Sequence, residues 1–138
     1  MIETIEAEGK VLAIVLRSGH ESQGVQFFSR PEYPLQLGLL QHSKDTHIKP
    51  HIHHSTTKIV NEIQEVLHLE YGRVEAEFFR NSGQRVASCL LNEGDTILLV
   101  SGGHGFRILE ETKMLEIKQG PYESREEDKK YLKVDSNG

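Results

Sequence analysis

Glu65-Val66-Leu67-His68-Leu69-Glu70, then Tyr71-Gly72-Arg73, then Val74-Glu75-Ala76-Glu77-Phe78-Phe79: this stretch reads as two short strands around a hairpin turn. Side chains alternate between the faces of a strand, so Glu65, Leu67 and Leu69 share one face while Val66, His68 and Glu70 share the other. The first face is apolar except for Glu65. A carboxylate on a core-facing surface is costly unless a cation or several donors meet it, which makes Glu65 the first candidate for a functional residue.

The same punctuation runs outward in both directions. Apolar and β-branched runs at 11–16, 24–29, 35–41, 48–54, 85–91, 96–100, 105–109 and 113–118 are separated by Gly, Pro, Ser, Asn or Asp, so about ten short strands are expected in all. The run at 96–100 is apolar on both faces and is expected to be central in a sheet. No window of eleven or more residues keeps the three-to-four-residue apolar spacing of a helix. The expectation is an all-β sandwich or barrel forming a single domain over residues 1–122. Residues 123–138 form a charged tail with only Tyr131, Leu132 and Val134 to bury, expected to fray or form one short turn.

Composition narrows the function classes. The chain has 138 residues, 36% of them apolar, enough for one core, and a net charge of −5 with no run of Lys or Arg. Neither nucleic acid nor a membrane is an expected partner. Cys89 is the only cysteine, which rules out an intramolecular disulfide and a cysteine-based zinc site. Between Ser88 and Leu90 on an expected strand, it reads as an inert buried thiol. The N-terminus lacks the pattern of a signal peptide and no run nears the ~20 apolar residues of a spanning helix, so a cytoplasmic location is expected.

The histidines carry the chemistry. His51-Ile52-His53 places two imidazoles on one face of an extended segment, their backbones about 7 Å apart, close enough to converge on one ion. Pro50 suits the start of a strand, and His54 points the other way. Further on, Ser101-Gly102-Gly103-His104-Gly105 has three glycines that let the chain turn and present one more imidazole.

These residues resemble the cupins, whose first motif carries a His-x-His pair, a glutamate and, six residues further, a glycine, and whose second carries two glycines and a histidine. His51 and His53 match the pair, Glu65 and Gly72 match the glutamate and its glycine, and Gly94, Gly102 and His104 match the second motif. The pattern departs where Asp45 replaces the opening glycine, where eleven residues separate His53 from Glu65, where His104 comes one residue early, and where Val100 and Ile108 replace the second motif's Pro and Asn. The resemblance implies a cupin jelly-roll barrel, also called a double-stranded β-helix. It also implies that His51, His53, Glu65 and His104 hold one divalent transition metal ion (Fe, Mn, Ni, Co or Zn), with Glu62 or Gln64 replacing Glu65 if the register slips.

SGGHGF at 101–106 and IKQGPY at 117–122 resemble a group of small single-domain cupins associated with sugar and surface-polysaccharide biosynthesis. A metal-dependent enzyme acting on a small-molecule ligand such as a sugar derivative is the leading expectation, with isomerisation or epimerisation ranked ahead of oxidation. A non-catalytic metal- or sugar-binding module is the alternative. His47, Glu62 and Gln64 are the candidate bases, and His47 and His54 candidate proton shuttles; His20, His42 and His68 read as surface residues. One ring of each pair Phe27/Phe28 and Phe78/Phe79 is expected in the core. A homodimer is expected, paired through the apolar N-terminal strand at 11–16 if that strand is left at an edge.

Overall fold

The computed structural model describes residues 1–134, and its regular secondary structure is almost entirely antiparallel β-sheet. Its strands are β1 (Ile2–Ala7), β2 (Lys10–Leu16), β3 (Gly24–Phe27), β4 (Gly38–Gln41), β5 (Glu65–Tyr71), β6 (Arg73–Phe79), β7 (Arg85–Asn92), β8 (Thr96–Leu99), β9 (Gly103–Ile108) and β10 (Lys113–Lys118). A single turn of helix, α1 (Arg125–Asp128), follows, its N-terminus capped by the Ser124 hydroxyl, which accepts from the Glu127 amide at 3.1 Å. Among the described residues no helix is long and apolar enough to cross a membrane.

Three sheets form: β1-β2-β8-β5-β10, β7-β6-β9, and the two-stranded β3-β4. The hairpin around Gly72 is as expected, and its backbone requires glycine there: φ is +106°, and a Cβ would meet the Glu111 carbonyl and the Thr112 side chain.

Period-two alternation decides how the large sheet packs. Ala13, Val15, Leu67, Leu69, Ile97 and Leu99 turn inward and meet Val74, Ala76 and Phe78 of the three-stranded sheet in one buried cluster. On the opposite face, Ile14, Leu16, Leu98 and Val100 are covered by Phe28, Tyr33, Leu35 and Leu37 from the β3–β4 connection. β8 therefore runs through the middle with both faces buried, as its composition implies.

Four expectations are corrected. First, β1 is an extra strand, joined to β2 by a turn in which Glu8 (φ 52°) and Gly9 (φ 75°) are both left-handed; a register shift between Ile5 and Glu6 breaks the alternation that would have revealed it. Second, the run at 11–16 is no edge: β2 is paired with β1 on one side and β8 on the other, so the edge-pairing rationale for a dimer does not hold there. Third, Phe78 and Phe79 are both buried: Phe78 enters the inner cluster, and Phe79 lies outside it against Gly103 and Gly105 of β9, which leave room beside its ring. Fourth, residues 48–54 form no strand; the whole of 42–64 is without helix or strand, and residues 41–63 are all exposed. Tertiary pairing, absent for this segment, is what its local extended preference needs to become a strand.

The tail is held more firmly than its charge suggested. Lys118 Nζ pairs with Asp128 at 3.0 Å, and Leu132 lies against Gly103, where any side chain would collide with it. Residues 135–138, the end of the expected tail, lie outside the described residues. Cys89 is half-buried against the inner cluster, and burial raises its thiol pKa, in keeping with an inert side chain.

Candidate functional site

Of the four candidate ligands, the structure brings two together. Glu65 opens β5 on the inward face shared with Leu67 and Leu69, and His104 lies opposite Phe78 across the β6–β9 ladder, so it too faces inward. Their side chains meet across the gap between the two sheets, with Glu65 Oε2 3.7 Å from His104 Nε2. That separation exceeds a hydrogen bond, so neither group satisfies the other directly. His104 sits within β9 rather than in a loop; the sharp turn is made just before it at Gly102, whose φ is +75°.

The electrostatics follow from the surroundings. Burial, then repulsion and hydrogen bonding from Glu116, push the Glu65 carboxyl up from 4.5 to about 7. Burial lowers the His104 pKa, outweighing the opposing influence of Glu116, with Lys129 adding to the lowering. A neutral imidazole beside a carboxylate held against its own repulsive neighbour is a donor set that a cation would stabilise.

Glu116 and Lys118 were missed in the sequence, although the signal was present. Met114, Glu116 and Lys118 alternate on β10 opposite Leu69, Leu67 and Glu65, so once Met114 is assigned to the core the other two must share the inner face. Lys118 in turn holds Asp128 of α1, which brings the tail to the same rim.

His51 and His53 lie on the exposed segment, apart from Glu65 and His104, and among the described residues no three His, Cys, Asp or Glu side chains are grouped closely enough to hold a metal. The two are nonetheless prepared as a pair. Their rings contact edge to face with centroids 5.4 Å apart, and His51 Nδ1 lies 2.8 Å from the Lys49 carbonyl oxygen. A carbonyl only accepts, so this contact puts the proton on Nδ1 and leaves the Nε2 lone pair free, the arrangement in which metal-bound histidines are commonly held.

The substitutes for Glu65 separate clearly. Gln64 points to the opposite side, is 1% exposed, accepts from the Leu35 amide at 3.3 Å and donates to the Val100 carbonyl at 3.4 Å; it is a brace, with no free group to serve as ligand or base. Glu62 and His47 are exposed on the 42–64 segment, as are His42 and His54. His68 bonds Thr96 Oγ1 at 2.8 Å on the outer face, and His20 packs edge-on against Phe28. A cleft of about 620 Å³ lies elsewhere, lined by Glu8, Lys10, Arg30, Glu62 and Arg80 among others, and includes neither Glu65 nor His104.

The chain matches no family model, no curated protein and no solved structure.

The raised Glu65 pKa has a consequence for the metal-free protein. Between pH 4.5 and about 7 the folded chain keeps a proton that the unfolded chain has released, so this group's contribution to stability falls as pH rises through that window. Glu65→Gln is expected to make the chelator-treated protein more stable than wild type at pH 8, by roughly 1–2 kcal/mol after allowing for partial exposure, and to make no difference at pH 4. Urea denaturation at the two pH values measures it, and a variant less stable than wild type at pH 8 would contradict the assigned environment.

Proposed function

We propose that the protein is a small metal-binding protein of the cupin kind, in which His51, His53, Glu65 and His104 hold one divalent transition metal ion. The observation that carries this reading is the inward-facing pair Glu65 and His104, set 3.7 Å apart without a hydrogen bond between them. Support also comes from His51, whose Nε2 is left free by its contact with Lys49, and from the outer edge of β9, the strand bearing His104, which has no strand partner among the described residues. A segment laid along that edge brings its inward side chains beside His104. Residues 48–54 have the length and alternation to do so.

Three neutral imidazoles and one carboxylate suit Fe, Mn, Ni, Co or Zn and are poor for Ca. Bound there, the ion would supply Lewis acidity toward an oxygen of a small polar ligand. Glu65 offers the one negative charge among the ligands. Glu116, beside it, is placed to exchange a proton with a bound molecule, and Lys118 to pair with an anionic group on it. Isomerisation or epimerisation of a sugar derivative is the activity we assign to this arrangement. A panel of nucleotide sugars and uronic acids offered to metal-loaded protein distinguishes turnover from the alternative, saturable binding without chemistry.

The ligand set itself is tested by histidine-ring NMR during titration with Zn(II). The ring signals of His51, His53 and His104 are expected to shift together and saturate at one equivalent, while those of His20, His42 and His68 stay in place. Shifts confined to the exposed segment, with His104 unmoved, would contradict the proposal.

A further inference from the structure

The chain exposes far more surface than its mass requires. A compact 15.7 kDa monomer is expected to expose about 7,300 Å², whereas this chain exposes 10023 Å², an excess of about 2,700 Å². Much of it has an identifiable source. Residues 41–63 are all exposed, Ile48, Ile52, Ile59 and Ile63 among them, Ile52 and Ile59 each at 87%. The hairpin formed by β3 and β4 pairs with neither of the other sheets, and its face bearing Val25, Phe27 and Leu40 is also exposed.

The body shows the complementary deficit. Among the described residues β9 is paired only with β6 and β10 only with β5, so each presents an unpaired edge there, and Leu115 and Ile117 are exposed on the outer face of β10. Open strand edges next to solvent-exposed apolar side chains are what folded chains avoid leaving uncovered. The other two terminal strands, β1 and β7, are bridged at one end by Arg17, just after β2, which reaches the Leu90 carbonyl of β7 at 2.6 Å and Glu3 of β1 at 2.7 Å.

We propose that two copies of this chain exchange residues 41–63, each laying its extended segment on the free β9 edge of the other and its β3–β4 hairpin against the other's β10. In each copy the segment is exposed along its whole length, while β9 and β10 each have one strand partner among the described residues, so a two-fold exchange satisfies both at once. A segment of this length matches the 20–30 residues a side of a specific interface, and the excess on two chains exceeds the roughly 2,000 Å² above which obligate dimers lie. For the metal site the inference rests on the function proposed above: His51 and His53 would come from one copy and Glu65 and His104 from the other, so neither copy alone holds a complete site.

Co-expression of two differently tagged chains, one carrying His51→Ala and His53→Ala and the other Glu65→Gln and His104→Ala, provides the test. Exchange predicts that the purified heterodimer binds one Co(II) per two chains in equilibrium dialysis, with either variant alone binding none. A heterodimer that binds none, while wild type binds one per chain, shows each segment folding onto its own body and overturns the exchange. A wild-type protein that binds no Co(II) overturns the metal reading instead, and light scattering then decides the exchange by itself. Wild type is expected at twice 15.7 kDa, and Ile52→Glu with Ile59→Glu, harmless to an isolated chain, is expected to return it to one. Monomeric wild type, or a double variant that remains dimeric, overturns the exchange whatever the metal result.

Discussion

Asp95→Ala is expected to remove about 3–5 kcal/mol of folding stability, a large part of the roughly 5–15 kcal/mol available to a domain of this size. The side chain is 3% exposed, and both of its oxygens accept hydrogen bonds inside the protein. Oδ1 accepts from the Ser18 amide at 2.9 Å; Oδ2 accepts from the Asn92 amide at 2.8 Å and from Arg17 Nη1 at 2.8 Å. Truncation strands two amides and leaves Arg17 without its buried partner, and Arg17 is the residue that ties β2 to β7 and β1. Glu3→Ala removes only the partly exposed partner of the same guanidinium and is expected to cost less than about 1 kcal/mol. Urea denaturation of the two variants measures the difference. An Asp95→Ala protein within 1 kcal/mol of wild type would show that the network is dispensable.

His104→Ala is expected to weaken binding of a divalent transition metal at least about a hundredfold, since loss even of groups that only orient metal ligands costs 10–100-fold. The imidazole is the one histidine of the body on the inner face beside Glu65, and its lowered pKa keeps it neutral and able to donate its lone pair near pH 7. His68→Ala is the matched control. That ring is on the outer face of β5, bonded to Thr96, and its loss is expected to leave metal affinity unchanged. Isothermal titration with Co(II) compares the two, and equal losses in both would remove the basis for placing the site between the sheets.

Much of the fold was legible because period-two alternation is a local signal that survives into the structure. The inward set Leu67 and Leu69, the outward Val66 and the doubly buried β8 all follow from it, and β10 begins and ends where its apolar run does. The signal failed where register slips. The register shift at Ile5/Glu6 hid β1, and alternation alone did not show that Phe79 is buried as well, against the glycines of β9.

The candidate site was legible by halves for a related reason. Glu65 was found from the cost of a carboxylate on an apolar face, and the structure sets it beside His104. Glu116 and Lys118 were overlooked although the same alternation places them on that face. His51 and His53 were expected on a strand, but alternation states only which side chains share a face; whether a strand forms depends on an edge to pair with, and that edge is not encoded in the segment itself. Gln64, a substitute ligand in the sequence reading, is buried on the other side of the chain, where it accepts from the Leu35 amide and donates to the Val100 carbonyl.

Elemental analysis of protein purified without chelators tests the central claim most directly. Close to one transition metal ion per chain is expected, lost on dialysis against chelator and regained in a single step on addition of Co(II) or Zn(II). A protein that carries no metal as purified and takes up none under any loading condition would contradict the account.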